Sequence, residues 1–460
     1  MTRLGSAYWR LWWANAVSYA GDGALVSALP LFAVTVTKDP RLISLVSAAM
    51  FLPWLLLSLP AGAIVDRHDR VALMWRSQAV QFAVMGALTV LVMTRTAGIA
   101  VLAAAGFLLG CAEVVFSNAE QSALPALVPA DLLPRANGNQ QVVLTIGETF
   151  VGPPLGSALF AVRAALPFGL DAVSFAGSAA LLAGLPRTAK SRTTQSRTTQ
   201  PRSEQRMRAQ IAEGVRWLAG HRLLRTVALL LGVSNFSSQM GQATLVLLAT
   251  QTLHVGTGGY GLLWTAAAIG SVLGGLVNPA ITRRLGLLPS LTVAMAAFAV
   301  ADVGVGLAPN FAVAAALMAC NGFFVTMWNV VTVTLRQRIV PAELLGRVNS
   351  VYRMIGWGLM PLGALAGGFV AHAAGLRAAF VVAGVLSGAA LLAALPALAR
   401  ADRASPDKGL LPSPGAGGVV EADADADADA EAASCGVTLS CSEETSVSTL
   451  LSPRLPGTDT

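Results

Sequence analysis

The chain has 460 residues, of which 55% are hydrophobic and only 12% charged, with a formal net charge of +7 and a pI near 9.7. A soluble protein of this length carries roughly 25% charged residues, so a water-soluble globular fold is excluded, and unbroken apolar runs in place of ten-residue alternating segments exclude a β-barrel. The basic balance is no nucleic-acid signal. Residues 1–400 hold 28 basic and 13 acidic residues, while everything from Ala401 onward holds 3 and 11, and the basic side chains fall mainly in alternate loops.

Taken in order, the apolar segments predict twelve membrane-spanning helices. They cover residues 11–36, 43–65, 71–94, 98–122, 141–163, 167–186, 226–250, 258–281, 287–307, 311–335, 350–373 and 376–397. Each reaches or approaches the roughly 20 residues that a ~30 Å hydrocarbon layer requires. The opening "MTRLGSAYWRLWW" leads into the first span without a small-residue cleavage pattern, so that helix is expected to remain as an anchor, with Trp9, Trp12 and Trp13 at its interfacial end. Placing the N-terminus in the cytoplasm puts 26 of the 31 Lys and Arg residues on the inner side and leaves Lys38, Arg41, Arg95, Arg163 and Arg377 outside. Both termini are therefore expected in the cytoplasm of a multi-pass cell-membrane protein.

The first span places Asp22 about twelve residues beyond Arg10, ~18 Å along a helix and so near mid-membrane. Glu113, in the fourth span, has similar depth, and Glu148, in the fifth, is shallower. Ionised carboxylates at such depth are costly and face a partner or an aqueous cavity, which makes the three candidates to carry protons. Glu120 and Asp302 fall nearer span ends and are read as interfacial. Between the second and third spans lies "AGAIVDRHDRVALMWR", with Gly62, Asp66, Arg67 and Arg70 at fixed spacing. Gly62 permits close helix approach, and Asp66 lies one turn further on, where it can meet a helix N-terminus or an arginine of a neighbouring bundle. In the fifth span "GETFVGPPLG", Gly152 and Gly156 form a small face, while Pro153 and Pro154 remove backbone donors and favour a bend.

A polar basic stretch containing "SRTTQSRTTQPRS" divides the chain, and the two sides repeat. "VPADLLPRANG" (Val128–Gly138) returns as "VPAELLGRVNS" (Val340–Ser350), and Ser58–Arg70 aligns with Ser271–Arg283 at nearly the same offset. The expected domains are an N-terminal six-helix bundle (1–186), a cytoplasmic linker (187–225), a C-terminal six-helix bundle (226–399) and an acidic, disordered tail (400–460). Asn235, Gln239 and Gln242 in the seventh span, Asn321 and Asn329 in the tenth and Trp357 in the eleventh are candidates to line a substrate cavity. No phosphate-binding GxxxxGK[ST] loop occurs, and neither four histidines nor four cysteines show a metal-binding spacing.

The loop Gly62-x3-Asp66-Arg67-x2-Arg70 resembles the signature of the major facilitator superfamily, and the match of spans, halves and linker covers about residues 10–400. Asp69 stands where that signature has a glycine, and the second-half copy keeps only Gly275 and Arg283. The resemblance implies an all-α, polytopic fold of two pseudo-symmetric six-helix bundles, with Gly62, Asp66, Arg67 and Arg70 controlling a conformational switch. Gly147, Gly152, Pro153 and Gly156 resemble the fifth-helix motif of the drug-antiporter branch, which implies export by exchange. The first and fourth helices look like those of macrolide-efflux and siderophore-export proteins. The expected protein is a non-enzymatic, monomeric, proton-coupled antiporter for a small amphipathic molecule, needing the bilayer and a proton gradient but no cofactor, metal or nucleic acid. An importer or lipid flippase on the same fold is the alternative, and a transport-dead scaffold or sensor the reading from another class.

Overall fold

The computed structural model describes residues 4–185 and 213–404. The repeat-bearing part of the linker and nearly all of the acidic tail lie outside the described residues. Apolar sequence becomes helix almost throughout, because a chain in hydrocarbon must satisfy its backbone polar groups within each segment. The first bundle contains α1 (Ser6–Val36), α2 (Pro40–Arg67), α3 (Arg70–Met93), α4 (Ile99–Leu127), α5 (Leu133–Leu144), α6 (Gly152–Val162) and α7 (Leu166–Ala183). After a short helix α8 (213–220) come α9 (Arg222–Leu247), α10 (Thr257–Leu285), α11 (Leu287–Leu307), α12 (Phe311–Ile339), α13 (Ala342–Gly358), α14 (Met360–Ala374) and α15 (Leu376–Ala404).

Helices α5 and α6 form one span joined by a wide π-helical turn, Thr145–Val151, and α13 with α14 forms another, broken at Leu359. Among the described residues, eleven spans are long and apolar enough to cross a membrane by length and composition. The remaining predicted span, the seventh, is α9, whose "SNFSSQMGQ" segment makes it too polar for that criterion. It packs against α2, α13, α14 and α15 within the protein, where polar groups find partners. The last residues assigned to the linker are helical as well. Trp217 and Leu218 of α8 join the apolar cluster of the second half, and Glu213 pairs with Arg347 at 2.7 Å.

Local chemistry sets the turns. Asp39 caps α2 by accepting from the Arg41 amide at 2.9 Å, and Pro40 follows at the first helical position. The Arg41 guanidinium beside it also holds the Asp39 carboxyl down at about 2, so the cap stays ionised until the pH falls that far. The α2–α3 turn consists of His68 and Asp69. Asp69 accepts from the Ala72 amide at 2.7 Å with φ −66°, so capping α3 accounts for an aspartate where the superfamily signature has glycine.

Lipid tails are as apolar as leucine, so helix association here rests on close packing and polar contacts. Three large apolar clusters show how the halves meet. Near the basic end, one cluster contains residues of the first half only, around Tyr8, Met74 and Phe116, and another contains the second half only, around Val227, Trp328 and Tyr352. At the opposite end a single cluster runs through both halves, from Phe32, Ile43 and Phe168 to Leu247, Tyr260 and Phe380. There α2 lies against α14 and α6 against α10, and Asp39 approaches His372 to 3.7 Å. The two halves thus share one apolar core at that end and have separate cores at the basic end.

In each half a tyrosine ties the first helix to the fifth span. Tyr8 donates to the Ala136 carbonyl at 3.3 Å, and Tyr352 donates to the Leu224 carbonyl at 2.5 Å.

Candidate transport site

Asp22 sits in "AGDG", and its two glycine neighbours place it. A methyl group added at Gly21 would collide with Asp171 and Ser174 of α7. One added at Gly23 would collide with the backbone of Gly147, Glu148 and Gly152 in the fifth span. Close approach on both flanks brings acids of three helices together, as only residues without a side chain allow. Pro153 and Pro154 lack the amide hydrogens that α-helical bonding would use there, and the helix widens until Gly152 N–H reaches Gly147 O. Glu148 lies within that turn.

Glu113 of α4 accepts from Gln81 Nε2 at 3.2 Å. Asp22 accepts from Ser18 at 3.1 Å, and Ser18 accepts in turn from Gln78 at 3.2 Å. Gln78 and Gln81 are one turn apart on α3, so one helix serves both candidate proton carriers.

Glu120 departs from its interfacial reading. Helix α4 continues through Pro125 to Leu127, which brings Glu120 into the protein. It accepts from Asn15, from Tyr19 OH at 3.2 Å and from Gln140 at 3.4 Å. Asp302 is also buried and accepts from Asn321 at 2.9 Å. Asp171, absent from the acids that sequence depth singles out, is fully buried on α7 and accepts from Ser174 at 3.2 Å. Its position five residues inside the sixth span is the signal that could have found it. Asp22, Glu113, Glu120, Glu148 and Asp171 all belong to the first half. Among the described residues, no ion pair includes any of these five acids.

Two cavities flank this cluster. One of about 470 Å³ is lined by Tyr19, Glu120, Gln121, Leu124, Asn137 and Gln140, with further residues of α4 and α5. Another of about 110 Å³ lies between the halves, lined by Leu29, Met50, Phe51, Tyr260 and Trp264 together with Gln239 and Gln242. Of the remaining wall candidates, Asn235 donates to the Gly356 carbonyl at 3.0 Å and joins α9 to α13. Asn321 is taken up by Asp302, and Asn329 is exposed and lines neither cavity. Trp357 stacks on Trp54 across the two halves, with ring centres 4.7 Å apart and planes at 27°. Arg353 donates to Gln121 at 2.8 Å and lies 5.9 Å from the Trp54 ring, so it bridges the halves at the cavity rim.

In the α2–α3 turn, Arg70 donates to the Ser122 carbonyl of α4 at 2.7 Å. Arg67 ends α2, and the side chain of Asp66 lies outside the described residues. Among the described residues, a methyl group added at Gly62 would meet nothing within 4 Å, so no helix packs closely on it in this arrangement. Gly62→Ala is expected to leave thermal unfolding in detergent unchanged; a marked fall in the midpoint would show that a helix does pack on it.

Gly147, Gly152 and Gly156 all face α1. A methyl at Gly156 would overlap the Ala24 carbonyl, and Pro153 O accepts from Ser27 at 2.7 Å. Pro153 O also faces Gly261 of α10, so the motif helix is held between the two halves.

Two helical bundles that share an apolar core at one end and have separate cores at the other, with polar groups held in the interior, have the architecture of a secondary transporter. The family model described as "Transmembrane secretion effector" matches residues 5–417, and the chain belongs to that family of the major facilitator superfamily. It is 25% identical over 376 residues to the multidrug efflux pump Tap of Mycobacterium tuberculosis, covering 80% of this chain and 88% of that one. It is 22% identical over 385 residues to macrolide efflux protein A of Streptococcus pyogenes, covering 82% and 93%. In structure it resembles a bacterial homologue of the iron transporter ferroportin in an inward-facing state, with a TM-score of 0.67, 17% identity, and coverage of 87% and 99%. That likeness extends to the fold.

Proposed function

We propose that this transporter is a proton-driven antiporter that exports small amphipathic molecules across the cell membrane, with both termini in the cytoplasm. The observation that carries the coupling is the group of first-half acids held by neutral donors, with no ion pair to any of them among the described residues. An ionised carboxylate in such a place is expensive, and binding a proton removes the charge, so each acid can alternate between a charged and a neutral form as access changes. The relatives named as efflux pumps support the direction of transport and the amphipathic cargo. In the exchange cycle the protein opens to the cytoplasm at its basic end, takes up cargo while releasing protons, and returns through a state open at the other end. The turn bearing Gly62, Asp66, Arg67 and Arg70 is placed to hold the basic end shut in that second state.

Liposomes containing the purified protein test this. An imposed proton gradient should drive ethidium against its own gradient, and a protonophore should abolish that movement; uphill transport indifferent to the protonophore would overturn proton coupling. Orientation has its own test. A cysteine substituted for Arg197 in intact cells should react with maleimides that cross the membrane and not with impermeant ones, and labelling by the impermeant reagent would reverse the topology.

A further inference from the structure

Arg353 is a cation set deep between the halves. It stands six residues inside the span Arg347–Ala374, and its guanidinium carbon lies 5.9 Å from the centre of the Trp54 ring, at the middle of α2. From Trp54 to Arg67, where α2 ends on the basic side, is thirteen residues, or about 20 Å of helix. A charge at that depth is costly and calls for a partner of opposite sign or a polar cavity. Among the described residues, no ion pair includes Arg353. Glu120, next to Gln121 in the chain, is turned to Asn15 and Tyr19 of α1. The oxygen that Arg353 does reach, that of Gln121, takes one N–H of a five-donor group and brings no negative charge.

The surroundings of this guanidinium suit an amphiphile. One turn further along α13, Trp357 stacks on Trp54, and the Phe51 ring follows at 6.4 Å from Trp357. The strip from Arg353 across these rings joins the two cavities, because Gln121 lines the one of 470 Å³ and Phe51 lines the one of 110 Å³. Leu29, Met50 and Trp264 make the smaller cavity largely apolar. A molecule lying along the strip would set its apolar body on the rings and its head at the guanidinium. The planar fork of arginine matches a carboxylate through two parallel hydrogen bonds, and it is more weakly hydrated than an ammonium group.

Resting on the reading of the protein as an exporter, we propose that Arg353 binds the carboxylate of an anionic amphiphile whose apolar body lies along Phe51, Trp54 and Trp357. Acidic amphiphiles are then part of the cargo, and Gln121 competes with their head group for the guanidinium. A phospholipid phosphate offers the same oxyanion chemistry, so the experiment separates lipid from cargo.

The test is equilibrium dialysis of radiolabelled 1-naphthaleneacetate, and of the neutral 1-naphthaleneacetamide, against the full-length protein in phosphatidylcholine nanodiscs without any gradient. Empty nanodiscs serve as the blank. Arg353→Gln should weaken naphthaleneacetate binding by about tenfold or more while leaving the amide unchanged, and Arg353→Lys should recover part of the loss. Gln121→Leu, which frees the guanidinium, should bind naphthaleneacetate at least as tightly as the wild type. Carboxylate binding that is absent in the wild type, or unchanged in Arg353→Gln, would overturn the proposal. So would parallel loss of both probes in Arg353→Gln, or loss of the carboxylate in Gln121→Leu, which would make Arg353 a bridge between the halves. Native mass spectrometry from mixed nanodiscs tests the lipid: phosphatidylglycerol retained by the wild type and lost in Arg353→Gln would assign the guanidinium to a lipid phosphate and overturn its role with cargo. Because no gradient is present, Arg353-dependent binding stands even if proton-driven efflux fails, and gradient-driven efflux stands even if the binding result fails.

Discussion

Asp22→Asn and Glu113→Gln are each expected to reduce uphill, proton-driven efflux to the level of protein-free vesicles while leaving downhill dye exchange intact. Both substitutions keep the volume of the side chain and the ability to accept from Ser18 or Gln81, so the helix contacts around them survive. What they remove is the capacity to alternate between a charged and a neutral form in a place where the charged form is costly. The comparison of uphill with downhill movement separates coupling from translocation. Uphill efflux at the normal rate in both variants would eliminate these two acids as proton carriers. Loss of uphill and downhill movement together would indicate that they shape the path and not its energetics.

The second large effect is expected at the seam between α1 and the fifth span. Gly152→Ala and Gly156→Ala place a methyl group against the backbone of Gly23 and Ala24, which has no rotamer by which to withdraw. Overpacking of this kind costs about 1–3 kcal/mol, and the helices must separate to relieve it. Because Gly23 adjoins Asp22, separation also moves the acid, with its Ser18 contact, out of register with its neighbours. The expected result is a thermal midpoint several degrees lower by tryptophan fluorescence, with slower efflux in the population that remains folded. Midpoints equal to wild type in both variants would show that the seam has slack. Gly62→Ala, at a glycine facing open space, is the matched control.

Much of this arrangement is legible in the sequence, because membrane spans announce themselves by length and apolar content. The depth of Asp22 and Glu113 follows from counting along a helix, and the glycines of the fifth span mark a close approach before its partner is known. Glu120 escapes such counting for a physical reason. The apolar run fades near residue 122, but backbone hydrogen bonding carries α4 on to Leu127, so Glu120 lies more than a turn from the helix end. The donors Asn15, Gln78 and Gln81 are illegible for another reason. A single amide on an apolar helix carries no periodic signal, and its acid is remote in the chain, as Asn15 and Glu120 are. Asn321 illustrates the converse: a polar residue that suits a cavity wall is consumed by an acid on the next helix.

The apolar cluster shared by both halves at the end opposite the basic one has a thermodynamic consequence. Parting the halves at the basic end leaves each half's own cluster intact, whereas parting them at the other end splits Phe32, Ile43 and Phe168 from Leu247, Tyr260 and Phe380 and lets water reach them. Wetting apolar surface raises the heat capacity, so in the proposed cycle opening at that end carries a hydration cost. In that cycle the balance between the two states is expected to shift with temperature along a curve, as protein unfolding does. Cooling weakens the seal, and solutes that strengthen apolar burial, such as sulfate, hold it shut.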